Sequence, residues 1–119
     1  MPLDPSLKAR AEHNERFFKY VSAKHDEFAD WAVVAAFYVA VRYVDAYFQS
    51  ERGDRPVDHI ERNRWVATSP KTAMIFRKYR ELYQQARTAR YELSTFSERD
   101  VQRLVSNQLI PIKTHLLRQ

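Results

Sequence analysis

The run Trp31-Ala32-Val33-Val34-Ala35-Ala36-Phe37-Tyr38-Val39-Ala40-Val41 is the longest uncharged stretch of the chain, 11 residues, and Arg42 and Asp45 follow it closely. A membrane span needs about 20 apolar residues, so the run reads as a buried helix. Its apolar side chains leave no polar face. Trp31, Val34, Ala35, Tyr38, Val41 and Phe48 are expected inward, while Ala32, Val33, Ala36, Phe37 and Val44 cover the other sides. A helix that is apolar nearly all round belongs at the centre of a bundle, wrapped by amphipathic neighbours. This one begins near Asp26 or Asp30 and reaches about Gln49, so at 1.5 Å per residue it is about 36 Å long and sets the height of the molecule.

The rest of the composition agrees with a helical bundle. The chain has 119 residues, the size of one domain, and is 45% hydrophobic and 29% charged, enough apolar material for one core. One glycine and five prolines cannot furnish the turns of a β-sandwich or barrel. The expected fold is all-α: an antiparallel up-down bundle of four long helices plus one short helix, forming a single domain over residues 1–119 with residues 1–4 frayed. Zero cysteines exclude disulfides, thiolate zinc sites and cysteine nucleophiles, and point to a cytoplasmic protein.

Local signals place the other helices. Asp4-Pro5 caps and opens helix 1, which runs to about Lys24 with Leu7, Ala11, Phe18 and Val21 on one stripe. Gly53 stands where the central helix should stop. A short helix then covers Ile60 to about Ala67. Ser69-Pro70 reads as the cap and first turn of helix 4, whose seam is Ile75, Tyr79, Leu82, Ala86 and Ala89. Ser97-Glu98-Arg99-Asp100 has a cap with an acid three residues on and opens helix 5. Val101, Leu104, Val105, Leu109, Ile112 and Leu116 point inward along it. Pro111 cannot donate to the Asn107 carbonyl, which predicts a kink or an early end near residue 110.

The formal charge is +5, and it is concentrated. Between Arg52 and Arg90 there are ten basic residues against four acidic ones, so an anionic partner should meet the middle of the chain. On helix 4 the arginines Arg77, Arg80, Arg87 and Arg90 interleave with Phe76, Tyr83 and Tyr91. Guanidinium groups pair with phosphate and aromatic rings stack on bases, the two requirements of an RNA- or nucleotide-binding surface. The same aromatics could equally be core. A second group is His59, Arg62 and Asn63: one helical turn apart, His59 and Arg62 put a group that titrates near neutrality beside a fixed cation. That pair could hold a phosphate and move a proton, or serve only to cap and pack. With no second histidine at ligand spacing no metal site is expected, and no cofactor either. The chain has no Gly-rich phosphate loop, His-Glu-x-x-His or nucleophile elbow.

Taken in order, the apolar central helix Trp31 to Tyr38, the post-helix His59 with Arg62-Asn63, Tyr79-x-x-Leu82-Tyr83 and Arg90-Tyr91 resemble the HEPN superfamily of small prokaryotic helical domains. The similarity covers roughly residues 12–117 and rests on order and spacing. The resemblance implies an antiparallel four-helix bundle with an extra short helix, frequently dimeric, associated with RNA cleavage, nucleotide binding, toxin-antitoxin modules or phage defence. It also implies, for the nuclease branch, an arginine followed after four to six residues by a histidine, which cut RNA without metal. Arg52 and His59 have that spacing, but they follow helix 2, whereas the family's motif opens the final helix. Arg62-Asn63 and Arg90-Tyr91 lack the histidine that should follow them.

The expected function is therefore a module that binds RNA, a nucleotide or a partner protein through Arg62, Asn63, Arg80, Tyr83, Arg87, Arg90 and Tyr91. The alternatives are a metal-independent endoribonuclease using His59, Arg62 and Arg52, and a non-catalytic interaction subunit. The expected partners are RNA or a nucleotide and a protein encoded nearby, in a homodimer or hetero-oligomer, with no membrane.

Overall fold

Backbone capping chemistry fixes the helix ends, and in several places it overrides the sequence reading. The computed structural model describes residues 2–92 and 95–119, and every regular element among them is helical. Helix α1, Pro5–Ser22, opens with the Asp4 carboxylate accepting the Leu7 N–H at 3.0 Å and Pro5 in the first turn. Met1 lies outside the described residues. Pro2 to Asp4, expected to fray, are instead docked on the next helix: the Asp4 N–H donates to the Ala46 carbonyl at 3.1 Å, the Ser50 hydroxyl donates to the Pro2 carbonyl at 2.6 Å, and Leu3 is buried.

A 3-10 turn, His25–Phe28, leads into α2, Ala29–Arg52. At 24 residues it is about 36 Å long, close to the 39 Å long axis of the molecule, so it spans the whole core. An 18-residue window of α2 reaches a mean hydropathy of 1.3, apolar enough to cross a membrane, yet 78% of that window is buried by the rest of the chain. Of the positions expected inward, Ala35, Val41 and Phe48 are buried and Val34 and Tyr38 half-buried, but Trp31 is exposed; Ala32, Val33, Ala36, Phe37 and Val44, on the other sides, have no exposure. The helix ends at Gly53, whose φ of +72° is the left-handed conformation that favours glycine; the N–H there closes on the Gln49 carbonyl.

Helix α3, His59–Thr68, is capped by Asp58, whose carboxylate accepts the Glu61 N–H at 2.8 Å. Ser69 terminates α3 rather than opening the next helix. Its own N–H donates back to the Trp65 carbonyl, and the buried Thr72 hydroxyl donates to the Val66 carbonyl at 2.8 Å, which holds the chain in a turn. After a 3-10 turn, Ala73–Ile75, helix α4 starts at Phe76 and runs to Tyr91. Tyr79, Leu82 and Ala86 form its buried seam as expected.

The last helical stretch divides into α5, Glu98–Leu104, a wide π turn, Val105–Leu109, and α6, Ile110–Leu117. Ser97 and Asp100 make a full capping box at its start. The chain stays helical through Pro111, with the wide π turn directly before it. The Ile110 N–H reaches back to the Val105 carbonyl, and the Asn107 carbonyl that Pro111 cannot serve receives the Lys78 ammonium at 3.4 Å. Three helices are tied at one carboxylate: Tyr43 on α2 and Lys113 on α6 both donate to Glu15 on α1, each at 2.6 Å. Burial, then the hydrogen bond to Glu15 and its charge, push the Tyr43 hydroxyl up from its ordinary value, so it stays a proton donor.

Candidate functional site

A carboxylate inside an apolar helix must be paired, because an isolated buried charge is far too costly. Asp45 lies between Val44 and Ala46 on α2 with no exposure. Its partner comes from α3. Arg62, itself buried, donates its Nε to Oδ1 at 2.8 Å and its Nη2 to Oδ2 at 3.2 Å, a two-pronged guanidinium–carboxylate fork. Arg42, one turn before Asp45, adds a third bond at 3.3 Å.

The remaining arm of Arg62 points at His59. Nη1 lies 3.1 Å from His59 Nδ1, and since a guanidinium can only donate, Nδ1 accepts and the imidazole proton sits on Nε2. The ring is walled by Phe37, Tyr38 and Tyr83, with centroids 5.5, 6.1 and 5.7 Å away. Burial lowers the His59 pKa from its ordinary value; Arg62 and then Arg90 lower it further, and the opposing pull of Asp45 and Asp58 does not restore it. His59 is therefore neutral at pH 7.

This shift has a pH signature. In the unfolded chain His59 takes its proton near pH 6.5, before the folded form does, so the folded state loses stability as pH falls through that range. Urea midpoints measured from pH 7.5 down to about 5 should decline, and His59→Gln should flatten that limb. An identical limb in the variant would remove His59 as its source.

Arg90, at the end of α4, closes the cluster from the other side. Its Nη1 donates to the Tyr38 hydroxyl at 3.1 Å, its guanidinium lies over the Tyr38 and Tyr91 rings at 5.9 and 5.3 Å, and its Nε is enclosed without a hydrogen-bond partner. One turn back, Arg87 sits 6.0 Å over the Tyr83 ring. Arg80, Arg87 and Tyr91 are exposed along the same side of α4. Among the described residues none of Arg80, Arg87 and Arg90 forms an ion pair with a carboxylate.

The fold thus brings His59, Arg62, Tyr83 and Arg90 together. Arg52 lies elsewhere: it is held near the far end of α3, stacked 4.1 Å over Trp65 and donating to the Ser69 hydroxyl at 2.6 Å, about 15 Å along that helix from His59. Asn63 is half-buried, with Oδ1 enclosed and unpartnered. The sequence reading missed Asp45 and Tyr38, on which the cluster is organised. The signal was present: an acid set between Val44 and Ala46 in the apolar middle of the helix. No family model, curated protein or solved structure matches this chain.

Proposed function

We propose that this chain is a helical module that binds RNA or a nucleotide through the outward side of α4. The observation that carries the reading is the set of carboxylate-free arginines Arg80, Arg87 and Arg90 beside Tyr83 and Tyr91. Guanidinium groups without a carboxylate partner among the described residues, next to the exposed Tyr91 ring and the half-buried Tyr83, suit phosphate and base together. Arg62 and His59 support this face from behind. The nuclease alternative fits less well, because Arg62 is tied to a buried carboxylate and the Nδ1 lone pair of His59 is already engaged. We read the architecture as an antiparallel up-down bundle of α1, α2, α4 and the α5–α6 unit, with α3 as the short extra helix. That arrangement is compatible with the HEPN resemblance and the toxin-antitoxin or phage-defence setting it implies.

Fluorescence anisotropy with a single-stranded RNA, titrated at several salt concentrations, tests the binding. Each phosphate neutralised contributes about 0.7 to the slope of log K against log salt, so Arg87→Ala and Arg90→Ala should each shallow it by about that much. Arg64→Ala, on an exposed arginine already paired with Glu61 at 3.8 Å, should leave it unchanged. Salt-independent affinity would refute the reading.

A second reading, an interaction subunit, is favoured by one observation: Phe17, Tyr20 and Trp31 are 56%, 66% and 58% exposed around the α1–α2 corner. In that case the chain sediments as a homodimer or with a partner protein.

A further inference from the structure

We propose a second anion site, separate from the α4 face, in the cleft between α1, α2 and the loop of residues 53–58, which takes the phosphate groups of a small phosphorylated ligand. Ser6, Leu7, Arg10, Asn14, Arg42 and Arg55 line an open cavity of about 470 Å³. The three arginines come from three different elements, yet no carboxylate lines this cavity. The fold therefore gathers like charges at one place, an arrangement that repels itself unless an anion is present.

The individual side chains are also open to a ligand. Arg10 and Arg55 are exposed, and neither forms an ion pair among the described residues. Arg42 gives one nitrogen to Asp45, and about a third of its side chain remains exposed. The nearby acids are already engaged. Asp4 caps α1 through Leu7, Asp54 accepts the Arg55 N–H at 2.8 Å, and Asp45 is filled by Arg62 and Arg42.

A neighbouring cleft of about 360 Å³ shares Arg42 and Arg55 with the first and adds Asp45, Asp54, Pro56, Val57 and Arg62. The two shared arginines stand between the clefts, the first lined by no carboxylate and the second by Asp45 and Asp54. A ligand with its phosphates among Arg10, Arg42 and Arg55 would place its uncharged part towards the second cleft. Guanidinium forks suit oxyanions with paired acceptor oxygens, and three gathered cations call for more than one negative charge, which a phosphate group supplies and a halide or single carboxylate does not.

Isothermal titration with sodium pyrophosphate at low salt tests the site. Saturable binding is expected, and Arg10→Gln and Arg55→Gln should each weaken it about tenfold or more, since a charged hydrogen bond is lost. Both side chains are exposed, so the variants should melt like the parent. Arg64→Gln, on an exposed arginine already paired with Glu61, should bind pyrophosphate as well as the parent, and Arg10→Gln and Arg55→Gln should leave the salt slope of RNA binding unchanged, which keeps this site distinct from the RNA-binding face. Competition separates the natural sources. A nucleoside 5′-monophosphate that displaces pyrophosphate points to a free nucleotide; displacement only by a 5′-phosphorylated oligonucleotide, and not by its 5′-hydroxyl counterpart, points to a nucleic-acid end. Absence of saturable pyrophosphate binding, or undiminished binding in both Gln variants, overturns the proposal.

Discussion

Asp45→Ala is expected to lower the unfolding free energy by ~3–5 kcal/mol, the usual result of stripping the partner from a buried charge. The residue is wholly buried, and the guanidinium it holds is nearly so. Removing the carboxylate leaves Arg62 in a low-dielectric interior with two of its donors unanswered, and Arg42 loses the one ion pair it forms among the described residues. For a domain whose whole stability is about 5–15 kcal/mol, that is a large fraction. The size of the loss reflects an abandoned cation rather than the net worth of the pair. Asp45→Leu combined with Arg62→Met should therefore recover much of it, as buried pairs replaced by apolar residues of similar volume commonly do. Urea unfolding of the two single variants and the double variant completes the cycle. A single-variant loss below about 1 kcal/mol would show the pair to be solvated, contrary to its burial.

Phe37→Ala is expected to be as severe, ~3–5 kcal/mol, because a fully buried ring is replaced by a cavity. It will also do something a generic core truncation will not. Phe37 contacts Tyr38, His59, Tyr79 and Tyr83, so it is the floor on which the cluster rests. Burial is the largest cause of the depressed His59 pKa; opening that floor to water should move the imidazole back towards its ordinary value of about 6.5. Phe48→Ala is the matched comparison. Phe48 is equally buried but packs on Tyr47 and Trp65, so its loss should destabilise without altering His59. NMR titration of His59 in both variants makes the distinction. Unchanged titration in Phe37→Ala would mean that the neighbouring arginines alone set the pKa.

The sequence discloses those parts of the fold that depend on local backbone chemistry. Gly53 marks the end of α2 because only a residue without a side chain takes its φ cheaply. Asp4, Asp58 and Ser97 mark helix starts because short polar side chains satisfy the first free N–H groups. Ser69-Pro70 misleads because a serine before a proline serves a turn as readily as a cap, and the choice is made by Thr72 reaching the Val66 carbonyl. The exposure of Trp31 on α2 is illegible for another reason: a helix apolar all round has no pattern to show which side neighbours will cover. The same ambiguity hides the site. His59, Arg62 and Arg90 are readable as residue types, but their convergence depends on tertiary contacts with Tyr38 and Asp45 across 17 to 52 positions.

The wide turn at Val105–Leu109 explains a spacing that no regular helix allows. The buried residues run Val101, Leu104, Leu109, Ile112 and Leu116, with one gap of five. An ordinary helix advances about 100° per residue, so the extra position would swing everything after it away from the interior. The π turn absorbs that surplus. Regularising the turn at unchanged length should rotate Ile112 and Leu116 by about 100° towards water, whereas deleting one residue there should restore spacings of three and four and keep both inward. The surplus position is harmless only while the turn stays wide, and Leu109, buried at its end, is the side chain of this segment that the interior holds.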